Sequence, residues 1–310
     1  MLDLEVVQKE KLTDSVVALR MAPHSPDATL PKWTPGAHLE LHLTDTLVRP
    51  YSLVPNQSGY YEVAVLLEPD SRGGSSYVHK DLATGDRLAA SVPRSFFQLQ
   101  ENGQAVLLAG GIGITPMLSI ADALHEKNVD LQFHYCAKSR DQAAYIDQIQ
   151  RRSWSNSLSF HASDQGCRIN LKEVLEKSEP DVHFYACGPN RFLDEITSIL
   201  TENGRQDQLQ VEKFHSEVEL TGSSFIVELA SSGRRVTVAE DETILTALQR
   251  EDIDIPFSCT EGICGTCETG VIEGEIDHRD LFLTEEERAS GKLIMPCCSR
   301  AKGPLIKLDL

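Results

Sequence analysis

Four cysteines near the carboxyl end are the strongest chemical signal in the sequence. Cys259, Cys264 and Cys267 lie within nine residues, and Cys297 follows thirty positions later. Thiolates in the order Cys-x4-Cys-x2-Cys, with a distant fourth, bind the two irons of a [2Fe–2S] cluster. Two glycines inside the loop allow a close backbone approach, so that N–H groups can point at the cluster sulfurs. The spacing therefore predicts a site that accepts one electron at a time.

A structural zinc site and a reactive Cys-x-x-Cys pair are the alternatives. Zinc ribbons usually have two Cys-x-x-Cys knuckles, whereas this chain has one, formed by Cys264 and Cys267. A thioredoxin-like pair would open a helix after a strand, and the flanking residues do not predict that arrangement. We therefore favour iron, with these ligands: Cys259, Cys264, Cys267 and Cys297.

A glycine-rich turn near residue 110 has the composition of an anion-binding site. Ala105–Ala109 is apolar, as a buried strand is, and leads through Gly111 and Gly113 to Thr115 and Pro116. Bare glycines leave room for a pyrophosphate over a helix N-terminus, where unpaired N–H groups and the helix dipole favour anions. We expect Thr115 to cap that helix and Pro116 to be its first residue. Pro116 also stands where the dinucleotide fingerprint has its third glycine, so an ordinary nucleotide-dependent dehydrogenase is disfavoured.

Cys187, Gly188 and Pro189 form a second turn that follows a predicted strand. In open α/β sheets, ligands lie at the carboxyl ends of the strands, where both turns are expected. Taken alone, Cys187 is better explained as a buried thiol at the end of a strand. Together with the glycine turn, it indicates a nucleotide site.

Two short motifs in the first hundred residues have the chemistry of a flavin site. An arginine can bind a phosphate, a tyrosine can flank an isoalloxazine ring, and a hydroxyl can reach the flavin N5 edge. Arg49, Tyr51 and Ser52 supply these groups on one predicted strand. The second motif, before a short predicted helix, is a small anion nest built from Gly74, Ser75 and Ser76. Each motif alone is also compatible with a turn of a β protein.

Hydrophobic periodicity divides the chain into three parts. Residues 1–101 alternate short β-like runs with turn residues, which predicts a small antiparallel barrel. Residues 102–218 alternate apolar strands with helices, which predicts parallel βαβ units. A polar linker over 219–224 leads to a third module, 225–310, with a β-hairpin, a helix and the cysteine loop. In the middle part, helices are predicted over Met117–Lys127, Asp141–Gln150, Leu171–Lys177 and Phe192–Thr201.

The chain is strongly acidic, and this excludes several kinds of partner. It has 29 Lys and Arg against 47 Asp and Glu among 310 residues, a net charge of −18. Such a surface repels nucleic acid and anionic lipid headgroups, so we expect neither nucleic acid nor a membrane as a partner. The N-terminus has no basic region followed by an apolar run, which predicts a cytoplasmic protein without a signal peptide. The third module is the more acidic part, with 9 basic and 17 acidic residues.

Taken in chain order, with the flavin motifs first, the nucleotide turns next and the cysteine loop last, the motifs resemble the phthalate dioxygenase reductase and vanillate demethylase reductase family, a branch of the ferredoxin–NADP reductase superfamily. The resemblance covers the whole chain. It implies an antiparallel flavin-binding β-barrel, a parallel α/β nucleotide domain and a C-terminal plant-type ferredoxin domain of the β-grasp fold. It further implies FMN, NADH and a [2Fe–2S] cluster as cofactors.

The resemblance also implies roles for the residues of the motifs. Those expected to contact the flavin are Arg49, Tyr51 and Ser52, and those expected at its phosphate are Gly74, Ser75 and Ser76. The nucleotide site would be shaped by Gly111, Gly113, Thr115 and Pro116, with Cys187, Gly188 and Pro189 near the nicotinamide. The implied catalytic residues are Ser52 and Cys187.

The function implied is that of a monomeric NADH-dependent reductase that passes electrons to a separate Rieske-type oxygenase. The same electron chain could instead serve a haem or di-iron monooxygenase. A third hypothesis, of a different class, is a zinc-stapled nucleotide-binding protein without redox turnover. Lys138 and Arg140 follow the second strand of the nucleotide domain and could meet a 2′-phosphate, but the resemblance favours NADH over NADPH.

Overall fold

The computed structural model describes the whole chain except residues 45, 57, 58, 70, 96, 102 and 216–219. The described residues form two compact units, Met1–Phe214 and His215–Leu310. The first unit holds two sheets, and the second holds the cysteine loop. Among the described residues, none of the helices combines the length and the apolar character needed to span a bilayer.

Six antiparallel strands of the first unit form a barrel. The strands are β1 (Leu2–Lys11), β2 (Val16–Pro23), β3 (His38–His42), β4 (Val48–Ser52), β5 (Tyr61–Leu66) and β6 (Arg87–Ala90), and helix α1 spans Gly74–Lys80. Their hydrogen-bonded order is β4-β3-β6-β1-β2-β5, and a bridge between Leu53 and Val63 joins the two edges. Apolar side chains such as Leu39 and Leu41 are buried in a shared core. The predicted antiparallel barrel is confirmed.

Five parallel strands form the second sheet of this unit. They are β7 (Gln104–Gly110), β8 (Asp130–Ala137), β9 (Leu158–Ala162), β10 (His183–Cys187) and β11 (Leu209–Glu212). Helices α2 (Ile114–Glu126), α3 (Ile146–Ile149), α4 (Leu171–Lys177) and α5 (Asn190–Glu202) lie between them in sequence. The strand order is β11-β10-β7-β8-β9. Every residue of the central strand β7 is buried, because apolar clusters cover both faces, and this explains its apolar sequence.

The glycine turn begins its helix differently from the prediction. Gly111–Gly113 form a 3₁₀ turn that runs directly into α2 at Ile114, so Thr115 is not the N-cap. Thr115 Oγ1 instead donates to the carbonyl of Ile112 (3.0 Å). Pro116 is the third helical residue, where its missing N–H is tolerated because the first N–H groups of a helix have no partners within it. The predicted cap is wrong, since the preceding turn already starts the helix.

The predicted helix over Asp141–Gln150 is wrong for most of its length. The structure has a 3₁₀ turn at Arg140–Gln142 and only the four-residue α3. Between them, Tyr145 has a left-handed backbone with φ 64°, which is rare for a bulky residue. Its hydroxyl donates to the buried carboxylate of Glu62 on β5 (3.0 Å). This contact with the barrel overrides the local helical preference.

The second unit contains a mixed sheet with a helix packed against it. Its main sheet is built from β12 (Phe225–Leu229), β13 (Arg235–Val238), β14 (Thr269–Glu273), β16 (Leu293–Ile294) and β18 (Leu305–Leu308), in the order β13-β12-β18-β14-β16. A small second sheet joins β15 (Ile276–Asp277) to β17 (Arg300–Ala301), and the helices are α6 (Ile244–Arg250) and α7 (Glu285–Ser290). Strands β12 and β18 are parallel, and Ile244 and Leu248 of α6 share a core with Val227 and Ile306. The arrangement agrees with the predicted β-grasp fold.

The predicted linker, 219–224, is described from residue 220 onward. The carbonyls of Thr221 and Ser223 accept hydrogen bonds from Arg279 (2.7 Å) and Arg300 (3.1 Å). These bonds attach the described part of the linker to the second unit. The predicted domain limits themselves stay a prediction.

Candidate functional site

The four cysteines predicted as ligands converge in the second unit. Each is at most 5% exposed, although Cys297 comes from a different segment than the other three. The sulfur of Cys259 hydrogen-bonds with those of Cys264 and Cys297, and the sulfurs of Cys267 and Cys297 form a further pair. These hydrogen bonds lower the pKa of Cys259 and of Cys267. The same contacts raise the pKa of Cys264 and Cys297, so the loop stabilises thiolate, the form of cysteine that binds metal, at two of the four positions.

Backbone N–H groups of the loop point at its sulfurs. The amides of Glu261 and Ile263 each lie 3.4 Å from Cys259 Sγ. The amide of Cys259 lies 3.5 Å from Cys264 Sγ, and the hydroxyl of Thr266 is 3.0 Å from the same sulfur. Donors of this kind stabilise an anionic cluster and tune its reduction potential.

Two glycines make this arrangement possible. Gly262 and Gly265 have left-handed backbones, with φ of 71° and 78°. A Cβ atom on Gly265 would lie 2.2 Å from the ring of Phe282, and one on Gly262 would lie 2.4 Å from Cys298 Sγ. A larger residue at either position would have to move the loop.

The four cysteine sulfurs lie close together around one small site. Their contacts are continuous, since Cys297 contacts both Cys259 and Cys267, and Cys259 also contacts Cys264. A [2Fe–2S] cluster takes two thiolates at each iron. The residues present thus fit the cluster that the spacing predicts.

Arg49, Tyr51 and Ser52 lie on β4. Ser52 is buried, and its hydroxyl has no hydrogen-bond partner among the described residues. Burial also raises the pKa of Tyr51. The guanidinium of Arg49 donates to the carbonyls of Val48 and Arg72 (both 2.7 Å), which holds β4 against the loop before α1. A buried hydroxyl without a partner is expected where a ligand completes the site.

The motif of Gly74, Ser75 and Ser76 begins α1 beside Arg49. A Cβ atom on Gly74 would lie 2.6 Å from Arg49 Cγ, so this close approach requires glycine. The Ser75 hydroxyl donates to Ser71 Oγ (2.9 Å), which also accepts from the Ser76 amide (3.2 Å). The structure thus brings the two predicted flavin motifs together.

The glycine turn and the Cys187 turn pack backbone against backbone. A Cβ atom on Gly113 would lie 2.2 Å from the Cys187 carbonyl oxygen, and one on Gly188 would lie 2.9 Å from Gly110 Cα. Glycine is needed at position 113 for this close contact and not for its backbone conformation, since a φ of −62° suits any residue. Gly111 differs, because its φ is 55° and no atom of the described residues approaches its Cβ position within 4 Å. It leaves an open backbone surface that a phosphate can approach.

The other predicted nucleotide residues surround these two turns. Thr115 and Pro116 are buried in the first turn of α2, and Pro189 is the N-cap of α5. Because β7 and β10 are neighbouring parallel strands, the helices that follow them begin at the same edge of the sheet. This edge is where a nucleotide is expected in an open α/β sheet.

Two residues that the sequence did not single out as functional, His38 and Glu212, lie beside the end of β10 that carries Cys187. Glu212 ends β11 in register with Cys187, and His38 lies on β3 in register with Ser52. His38 Nδ1 and Glu212 Oε1 are 3.7 Å apart, and each side chain is 8% exposed. The pair therefore joins the predicted flavin motif of the barrel to the strand end that carries Cys187. An acid at the end of a strand was the only sequence signal for Glu212, and His38 gave none.

Burial keeps this pair uncharged near neutral pH. It raises the pKa of Glu212 from 4.5 to about 8. It lowers the pKa of His38 from 6.5 to about 4, with a smaller contribution from Arg94. Glu212 Oε2 has no hydrogen-bond partner among the described residues. A neutral carboxyl in this position can donate a hydrogen bond to a bound ligand.

Two family models match the chain. One, described as a 2Fe-2S iron-sulfur cluster binding domain, matches residues 227–302, and the other, an oxidoreductase NAD-binding domain, matches residues 107–197. The first range contains all four predicted cluster ligands, and the second contains the glycine turn and Cys187. The matches confirm the predicted [2Fe–2S] cluster and the NAD-type nucleotide.

Two relatives are similar over most of their length. The carnitine monooxygenase reductase subunit of Escherichia coli (strain K12) is 37% identical over 318 residues, which cover 100% of this chain and 98% of that protein. The vanillate O-demethylase oxidoreductase of Pseudomonas sp. (strain HR199 / DSM 7063) is 40% identical over 290 residues, or 91% of each chain. The first is named as a reductase subunit and the second as an oxidoreductase.

Two solved structures share the fold. Phthalate dioxygenase reductase, described as a modular structure for electron transfer from pyridine nucleotides to [2Fe–2S], has a TM-score of 0.72 and 31% identity, with 100% of this chain and 98% of that chain covered. An intact type IV self-sufficient cytochrome P450 monooxygenase has a TM-score of 0.89 and 37% identity over 100% of this chain. This chain spans only 41% of the length of that P450.

These similarities confirm the predicted family, fold class and oxidoreductase activity. Identity above 30% extends over nearly all of the chain, so the similarity covers all three predicted modules rather than a single domain. The chain belongs to the family of NAD-dependent, [2Fe–2S]-containing reductase components of oxygenase systems, together with the vanillate O-demethylase and carnitine monooxygenase reductases.

Proposed function

We propose that the protein passes electrons from NADH through FMN and the [2Fe–2S] cluster to a separate Rieske-type oxygenase. The contact between His38 and Glu212 carries the proposal, because it brings the Ser52 strand and the Cys187 strand end together within one compact unit. A nucleotide and a flavin bound at these strands would be neighbours, as direct hydride transfer requires. The named relatives support the reductase role.

The barrel residues would position the flavin. When bound, the flavin accepts two electrons as hydride and releases them singly, which suits a one-electron cluster. We assign Tyr51 to the side of the ring and the Ser52 hydroxyl to its N5 edge, where the buried oxygen gains the partner it otherwise lacks. The phosphate of FMN would be bound by Arg49, Gly74, Ser75 and Ser76.

The strand ends of the parallel sheet would position the nucleotide. The open backbone of Gly111, at the start of α2, would receive the pyrophosphate. Cys187 and Glu212 would lie beside the nicotinamide, with the neutral Glu212 carboxyl as a hydrogen-bond donor. The remaining residues assigned to this site are Gly113, Thr115, Pro116, Gly188 and Pro189.

The surroundings of Arg140 support NADH as the electron donor. Arg140 Nη2 lies 2.6 Å from Asp147 Oδ1, so its charge is already offset by a carboxylate. A 2′-phosphate would have to compete with Asp147 for the guanidinium. NADH carries no 2′-phosphate and avoids this competition.

The acidic third module supports docking on a basic surface of the oxygenase. Residues 225–310 carry 9 basic and 17 acidic side chains, so their attraction to such a surface should weaken as salt rises. A haem monooxygenase is the second candidate partner, since a self-sufficient cytochrome P450 monooxygenase includes a region similar to this whole chain. NADH-driven turnover reconstituted with each kind of oxygenase separates the two. Coupled turnover that is insensitive to ionic strength would contradict electrostatic docking.

A cysteine substitution tests the order of electron transfer. Cys264→Ser should leave flavin reduction by NADH intact and abolish onward reduction of cytochrome c, because it removes only the cluster. Cys167→Ser, which changes an exposed thiol outside the quartet, is the matched control and should retain both steps. Stopped-flow absorbance of the flavin follows the first step. Equal loss of both steps in the Cys264 variant would contradict the proposed order.

A further inference from the structure

A buried carboxylate, Asp280, lies between the two segments that carry the cluster ligands. It belongs to the stretch between β15 and α7, outside the cysteine loop, and its side chain has no solvent exposure. The electron path described above gives it no role. Burying a carboxylate costs free energy unless partners compensate it, so its presence beside the loop requires an explanation.

Asp280 is attached to both ligand-bearing segments. On one side, its Oδ1 accepts from the hydroxyl of Ser299, two residues after Cys297 (3.2 Å). On the other side, the amide of the adjacent Leu281 donates to the Gly262 carbonyl (2.9 Å). A Cβ atom on Gly262 would lie only 3.0 Å from Asp280 Cα. Asp280 therefore links the loop to the distant fourth ligand.

The negative charge of Asp280 is only partly offset. Its Oδ2 accepts from the amides of Phe282 (3.3 Å) and Leu283 (2.9 Å), which are neutral donors. Arg288 Nη2 donates to the Asp280 carbonyl (2.5 Å) and lies 3.6 Å from Oδ2, but the Arg288 side chain is 35% exposed, so water screens part of its charge. His278 Nδ1 is 3.4 Å from Oδ1 and carries charge only when it is protonated. A buried negative charge that is only partly neutralised thus lies against the cysteine loop.

We propose that Asp280 is a positioning residue that holds the two ligand segments together and lowers the reduction potential of the cluster. One-electron reduction adds one negative charge to the cluster, and a fixed carboxylate nearby opposes that charge. Arg288 acts in the opposite sense. The inference rests on the [2Fe–2S] cluster of the proposed function and is independent of which oxygenase is served.

Asp280→Asn separates the charge from the shape, because the amide oxygen can still accept the two backbone hydrogen bonds. We expect potentiometric titration of the holoprotein, followed by EPR, to show at least a tenfold higher ratio of reduced to oxidised cluster at a fixed potential, or about 59 mV for one electron. Arg288→Gln should shift the ratio in the opposite direction. Glu240→Gln, at an exposed carboxylate of the same unit, is the matched control and should leave the ratio unchanged.

Cluster retention gives a second readout that does not depend on activity. Ser299→Ala removes one link to Asp280 without changing the charge, so it should accelerate loss of iron to a chelator, and it remains informative if the Asp280 variant does not fold. An unchanged potential in the Asp280 variant, or an unchanged rate of iron loss in the Ser299 variant, would overturn the inference. A wild-type protein without iron would instead overturn the proposed function, so the two failures are distinguishable.

Discussion

Glu212→Gln should remove a large part of the pH dependence of stability in the first unit. In the folded protein, burial raises the pKa of this carboxyl to about 8, whereas the ordinary value is 4.5. Unfolding therefore releases a proton between these pH values, and stability falls as the pH rises through them. Each pKa unit corresponds to about 1.36 kcal/mol, so the complete loss amounts to about 5 kcal/mol.

The interval from pH 6.5 to 8 isolates this carboxyl from its neighbour. His38 has a lowered pKa of about 4, so its effect on stability appears only as the pH falls below 6.5. Between pH 6.5 and 8 the wild-type protein should lose about 2 kcal/mol that the glutamine variant, which cannot ionise, retains.

Tryptophan fluorescence during urea unfolding measures this difference selectively. The chain has two tryptophans, Trp33 and Trp154, and both lie in the first unit. Glu126→Gln, at an exposed carboxylate of the same unit, is the matched control and should follow the wild-type curve. If the stability of the Glu212 variant and the wild-type protein changed in parallel with pH, the carboxyl would not be neutral in the folded protein.

Three further substitutions test other contacts. Gly113→Ala places a Cβ atom 2.2 Å from the Cys187 carbonyl, so the two turns must separate; hydride transfer in stopped-flow absorbance should fall at least tenfold, and a normal rate would contradict the tight packing. Asp147→Asn removes the carboxylate paired with Arg140; the kcat/KM ratio of NADPH to NADH should rise several-fold, and an unchanged ratio would exclude this guanidinium from nucleotide selection. Tyr145→Phe removes the donor to a buried carboxylate of β5, at a cost of about 1–3 kcal/mol in urea unfolding; unaltered stability would refute that hydrogen bond.

The elements that local pattern determines were predictable from the sequence. The apolar run of β7 follows from burial on both faces, and α4 has its predicted bounds, Leu171–Lys177. The cysteine quartet was predictable for a similar reason, because cluster ligation needs one side-chain type at a restricted spacing. Its glycines then follow from the close contacts that the loop makes.

The features that the sequence did not predict depend on contacts between distant segments. The helix predicted through Tyr145 is interrupted because that residue reaches a carboxylate of the barrel. The pairing of His38 with Glu212 arises only when β3 and β11 meet, and the burial that shifts both pKa values arises with it. Neither residue carries a local pattern that reveals these contacts.

The metal held by the cysteine quartet decides whether the protein can pass electrons onward from the flavin one at a time. Iron and acid-labile sulfide should be assayed in anaerobically prepared protein, with EPR spectra recorded before and after addition of NADH. We predict two irons and two sulfides per chain, and the signal of a reduced two-iron cluster once NADH is present. Zinc in place of iron, with no acid-labile sulfide and no signal, would contradict the assignment of Cys259, Cys264, Cys267 and Cys297 as cluster ligands.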